Sequence, residues 1–110
     1  MTRVRFGGRD GGYFFRCDGH AGAAEKGHDI VCSAVSILGY TLAENTKKLY
    51  DEGFLIGEPI INIKDGFIEI EMKPHKGAER DVRRTIAVVQ TGYLLLSAAY
   101  PSFVSLDKTI

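Results

Sequence analysis

Ile60-Ile61-Asn62-Ile63-Lys64-Asp65-Gly66-Phe67-Ile68-Glu69-Ile70-Glu71-Met72 decides the fold. Two apolar-rich segments flank Asp65-Gly66, a dipeptide suited to tight hairpin turns because glycine accepts the positive φ that such turns require. In the second segment Ile68, Ile70 and Met72 alternate with Glu69, Glu71 and Lys73. Successive strand side chains point to opposite faces, so the alternation predicts one buried and one solvated face.

The same reading extends toward the N-terminus. Val4 to Phe6 and Tyr13 to Asp18 are β-rich and enclose the glycine-rich stretch from Gly7 to Gly12, a second hairpin pattern. Tyr13, Phe15 and Cys17 should share one face. Gly19 to Gly27 is small, glycine-punctuated and short of large apolar anchors, which predicts a surface loop. A helix follows, with Asp29 as its expected N-cap, since Val31, Ala34/Val35, Leu38 and Leu42 recur at helical spacing up to about Asp51. Gly53 marks its end.

Toward the C-terminus, Lys73 to Arg80 contains Pro74 and Gly77 and reads as a linker. A second helix is expected from Glu79 to Ala99, closed by Pro101, and a last short strand from Phe103 to Leu106. The expected architecture is α+β: one domain over residues 1–110, with a small mixed or antiparallel sheet of about five strands and two long helices.

At 110 residues, 45% of them apolar, the chain can bury a real core. Fourteen Lys and Arg balance fourteen Asp and Glu, which argues against general attraction to nucleic acid or an anionic membrane and leaves partner recognition to local features. No apolar run approaches a transmembrane span, and the first residues lack a signal-peptide core, so a soluble cytoplasmic chain is expected. Without a secretory signal, Cys17 and Cys32 read as reduced thiols.

The chemistry is concentrated in Gly19-His20-Ala21-Gly22 and in Asp29-Ile30-Val31-Cys32-Ser33-Ala34-Val35-Ser36. If Asp29 caps the helix, Cys32 lies in its first turn, where unpaired N–H groups and the helix dipole favour a thiolate. Free N–H groups around Val31 and Cys32 could also stabilise an oxyanion. An imidazole at His20, titrating near neutrality, can take the thiol proton and return it to a leaving amine. The same two residues also fit a small buried thiol beside an incidental loop histidine.

Resemblance separates these readings. Gly19-His20-Ala21, a short loop, and Gly27-His28-Asp29-Ile30-Val31-Cys32-Ser33-Ala34-Val35-Ser36 resemble the signature of the Prp family of ribosomal-protein processing cysteine proteases. Ala99-Tyr100-Pro101-Ser102-Phe103-Val104 is similar to the family's closing segment, and the Asp65-Gly66 hairpin fits as well. The resemblance implies a protease without a metal or cofactor, in which Cys32 is the nucleophile and His20 the base. Gly19, Ala21, Gly22, Asp29, Val31 and Ser36 are then substrate-binding or supporting positions. It further implies cleavage of a short N-terminal extension from large-subunit ribosomal protein twenty-seven, after paired aromatic residues. The sequence departs from the pattern in Gly22-Ala23-Ala24, where an aromatic residue is often found, and in the additional donors Cys17 and His28.

Two alternatives use the same residues. A zinc module could draw on Cys17, His20, His28 and Cys32, and a non-catalytic assembly factor could hold a ribosomal protein without needing a thiolate. In the second helix, Ile86, Val89, Tyr93 and Leu96 form one apolar stripe, with Val88, Gly92, Leu95 and Ala99 roughly opposite. One stripe can face the sheet, and the other predicts a homodimer contact.

Overall fold

The computed structural model describes residues 1–19 and 26–108, with side chains from residue 30 onward in the first helix. The element order is β1 (Thr2–Arg9), β2 (Gly12–Asp18), α1 (Lys26–Asp51), β3 (Ile60–Lys64), β4 (Phe67–Met72), a short 3-10 turn (Lys76–Ala78), α2 (Glu79–Ala99) and β5 (Val104–Lys108). The five strands form one mixed sheet in the order β3-β4-β2-β1-β5. Only the β1/β5 pairing is parallel. The expected α+β architecture is what the chain adopts.

Both hairpins turn on the same chemistry. Asp65-Gly66 closes β3 to β4 with Lys64 paired to Phe67, and Gly66 has φ +71°. The first hairpin is tighter than its glycine-rich stretch suggested: Arg9 pairs with Gly12 around Asp10-Gly11, whose φ values are 53° and 78°. Both residues with positive φ match the mirror-image turn that suits twisted strands.

Both helices lie on one face of the sheet. Phe6, Phe15, Cys17, Ile68, Ile70 and Met72 point into that layer and are buried, while Arg3, Arg5, Phe14, Arg16, Glu69 and Glu71 occupy the other face. On that outer face Arg16 forms an ion pair with Glu69. The core centres on Tyr93 of α2, which stacks on Phe15 at 5.5 Å between centroids and meets Phe6 at 6.0 Å.

Close approach fixes two helical glycines. A Cβ on Gly39 would lie 2.5 Å from Ile68 Cδ1, so α1 presses directly onto β4 there. One on Gly92 would lie 2.7 Å from a methyl of Leu38, where the two helices meet. Helix α1 ends at Asp51, and Gly53 just beyond it has φ +80°. Phe54 N–H bonds to Leu49 O and Gly53 N–H to Tyr50 O, so a left-handed residue satisfies the last carbonyls.

The start of α1 corrects one expectation. The helix begins at Lys26, so Asp29 is its fourth residue and not its N-cap. Once a long helix is nucleated, each residue added at its end gains a backbone hydrogen bond, and this outweighs a capping preference of about 1 kcal/mol.

Candidate active site

A pocket of about 170 Å³ lies at the end of the sheet where β2 stops and β3 turns into β4. Three parts of the chain build it. Helix α1 contributes Cys32, Val35, Ser36 and Tyr40, which recur at intervals of three and four residues on one flank. The first hairpin contributes Thr2, Cys17 and Gly19, and the second contributes Lys64, Asp65, Gly66, Phe67 and Ile68. The β2/β4 pairing, Cys17 opposite Ile68 and Asp18 opposite Phe67, brings the two hairpins side by side.

Gly19 seals the junction. Its N–H donates to Gly66 O at 3.0 Å. Its φ is +103°, and a Cβ there would stand 2.4 Å from the Met1 carbonyl oxygen. Glycine alone fits both the backbone conformation and the space.

The two cysteines line the same pocket in different states. Cys17 is 5% exposed, with its side chain in the core layer as the strand alternation predicted. Burial, reinforced by the neighbouring Asp18 carboxylate, pushes its thiol up to about 12. It is a protonated, inert thiol at neutral pH. Cys32 is half-buried and opens on the pocket from α1. Ser36 stands one turn further along and Tyr40 one turn beyond that, so the expected Cys32/Ser36 neighbourhood is present.

Other expected site residues separate. Val31 is fully buried and packs into the core rather than the pocket. Val31 and Cys32 are the sixth and seventh residues of α1, so their N–H groups belong to the intrahelical ladder and are not free for an oxyanion. Asp29 is the fourth residue of α1, three residues before Cys32. His20, Ala21 and Gly22 lie outside the described residues. Among the described residues no group of three or more His, Cys, Asp or Glu is arranged to hold a metal ion, and no helix is long and apolar enough to cross a membrane.

Thr2, Tyr40, Lys64, Asp65 and Phe67 are pocket residues that the sequence reading did not single out. Only Tyr40 carried a signal, since it continues the Cys32/Ser36 face at helical spacing. The others reach the pocket through strand pairing between distant segments.

Comparison with known proteins gives the family and the same fold. The profile of the family described as cysteine protease Prp matches residues 1–105. A search of curated proteins finds no match. Among solved structures, SMU.848 from Streptococcus mutans is 25% identical, with a TM-score of 0.70 over 99% of this chain and 94% of that one. The essential ribosomal processing protease Prp from S. aureus, in complex with a covalently linked product peptide, is 21% identical with a TM-score of 0.68 over 99% of this chain and all of that one. The same S. aureus protease with a substrate peptide is 20% identical, with a TM-score of 0.69 and equal coverage. The chain belongs to the Prp family of cysteine proteases.

Proposed function

We propose that Cys32 is the nucleophile of this protease, that His20 is its general base and acid, and that the substrate is the N-terminal extension of large-subunit ribosomal protein twenty-seven. The carrying observation is the contrast between the two thiols. Cys32 opens on the pocket, whereas Cys17 is buried and its proton is held to about pH 12.

The reaction follows from ordinary acyl transfer. The His20 imidazole takes the Cys32 proton, and the sulfur attacks the scissile carbonyl carbon. The tetrahedral intermediate collapses, the C–N bond breaks, and the imidazolium protonates the departing amine. Water, deprotonated by the same imidazole, then hydrolyses the thioester. Supporting positions are Gly19 and Ser36 in the pocket wall, Val31 in the core beneath the Cys32 segment of α1, and, by resemblance to the family signature, Ala21, Gly22 and Asp29. Tyr40, Phe67 and Ile68 give the pocket an aromatic and apolar lining, which suits an aromatic side chain next to the scissile bond.

The working setting is the cytoplasm, where ribosomal proteins are made, and the working form is a homodimer. Val88 and Leu95 are 72% and 66% exposed on the outer face of α2, while Ile86, Val89 and Tyr93 are buried beneath it. Of the two residues grouped with them by spacing, Ala99 is exposed like Val88 and Leu95, whereas Gly92 packs on Leu38 of α1. Sedimentation at micromolar concentration tests the dimer, and Leu95→Glu should yield a monomer. The enzymatic reading is tested by incubating the purified protein with the full-length ribosomal protein. Wild type should release the N-terminal extension, and Cys32→Ala and His20→Ala should each leave it intact. Binding without cleavage by the wild type, with a Cys32 no more reactive than a free thiol, would favour an assembly factor instead.

A further inference from the structure

The two edges of the sheet are built differently. Edge strands usually carry charge or proline to discourage pairing with another chain, and β5 does so with Asp107 and Lys108. Strand β3, at the opposite edge, has Pro59 before it and a single charge at its end, Lys64. Its body, Ile60-Ile61-Asn62-Ile63, has neither.

Register shows which backbone groups β3 leaves open. Lys64 and Phe67 close the two-residue turn and therefore exchange hydrogen bonds. Antiparallel pairs alternate, so Asn62/Glu69 and Ile60/Glu71 are bonded in the same way. Ile61 and Ile63 consequently turn their N–H and C=O groups away from β4. Among the described residues no backbone hydrogen bond from loops or turns reaches Ile61 or Ile63.

Their side chains add a second feature. Ile61 and Ile63 stand opposite Ile70 and Ile68, on the helix side of the sheet. Ile63 is nonetheless 45% exposed, since α1 covers β4 but does not reach over the edge. The result is an apolar shelf beside an open backbone edge. It runs to Lys64, which is already a wall of the Cys32 pocket, facing the α1 flank of Ser36 and Tyr40.

We propose that the β3 edge is the docking strand for the substrate: an extended, apolar N-terminal segment pairs its backbone with Ile61 and Ile63 and is thereby led past Lys64 into the Cys32 pocket. The proposal rests on the protease reading above. An extended peptide satisfies both features together, since its amides meet the open backbone groups and its alternate side chains fall on the isoleucine shelf. Continuity with the pocket favours this occupant over a second copy of the chain.

The test uses the wild-type enzyme and a fluorogenic peptide spanning the N-terminal extension and cleavage site of ribosomal protein twenty-seven. Each amide two or more residues from the scissile bond on the extension side is N-methylated in turn. Strand pairing predicts a loss in kcat/KM of at least tenfold at alternate amides and near-normal cleavage at those between. Ile61→Pro supplies the protein-side counterpart, because the proline removes an outward donor without breaking the bonds to β4. It should raise KM at least tenfold, and well beyond Ile61→Ala, which trims the side chain but keeps the N–H. Uniform tolerance of N-methylation, or equal kinetics for the two Ile61 variants, overturns the docking strand while leaving the protease intact. Conversion of a wild-type dimer to a monomer by Ile61→Pro assigns the edge to a second copy and also overturns it. If the unmodified peptide is not cleaved although Cys32 is readily alkylated, the substrate assignment fails and the docking of that segment falls with it.

Discussion

The Tyr93 hydroxyl of α2 donates a 2.7 Å hydrogen bond to the carbonyl of Val35, within one turn of Cys32 on α1. Both partners are buried, and burial holds the Tyr93 phenol protonated far into the alkaline range. The bond ties the aromatic centre of the core to the helix that carries the candidate nucleophile. Tyr93→Phe keeps the ring stacking and loses the bond, so it should cost roughly 0.5–1.5 kcal/mol. Urea denaturation should show a lower midpoint with an unchanged m value.

Cys32→Ala should abolish cleavage and leave the fold in place. Alanine is the best helix former and the position is only half-buried. Thermal unfolding should move by a few degrees at most, while release of the N-terminal extension falls to background. Retained cleavage would remove Cys32 from the mechanism.

The two thiols should differ in alkylation. Iodoacetamide at pH 7.5 should modify one thiol per folded chain, Cys32, and both after denaturation, as peptide mapping by mass spectrometry can show. Cys17→Ser should cost roughly 1–3 kcal/mol for burying a hydroxyl in place of sulfur, and it should retain activity per folded molecule, as should the wild type treated with a chelator. A shared zinc site predicts the reverse, with both cysteine variants unfolding alike.

Cys17 also sets an alkaline limit on stability. Its folded thiol titrates at about 12, above the ordinary value of 9.0, because burial and Asp18 disfavour the thiolate. The unfolded chain therefore loses the proton first. The contribution is complete below about pH 9 and declines as the pH rises toward 12, by up to about 1.4 kcal/mol per pH unit. Denaturation midpoints measured between pH 8.5 and 11 should fall less steeply in Cys17→Ala than in the wild type.

Gly19→Ala should be more damaging than its exposed position suggests. The new Cβ would meet the Met1 carbonyl in a backbone region that L-residues avoid. Relieving that contact moves the strand end that forms one wall of the pocket. A loss of roughly 1–3 kcal/mol should accompany reduced kcat/KM, and Gly77→Ala, where a Cβ meets nothing within 4 Å, should alter neither.

Much of the fold was legible because its signals are local. The Ile68/Ile70/Met72 alternation and Asp65-Gly66 fix β3 and β4 to the residue, and α2 runs over the Glu79 to Ala99 interval that its spacing indicated. Asp10-Gly11 carried the same turn signal but was hidden among neighbouring glycines. Asp29 was misread because a local cap preference competes with propagation of a long helix. Within the site, Cys32 and Ser36 share a helix face and could be paired from spacing. Lys64 and Phe67 could not, since a β2/β4 pairing across some fifty residues of chain brings them to the pocket, while Thr2 arrives through the β1/β2 register.

That same pairing has a consequence for biosynthesis. Each hairpin can close locally within microseconds, but joining β2 to β4 requires the intervening helix and loops to be in place, a slow, non-local step. Neither hairpin alone surrounds Cys32, and α1 alone offers it a single flank. A nascent or partly unfolded chain therefore carries the thiol without the cleft that would present a peptide to it, so proteolytic competence emerges with the last long-range contacts and not before them.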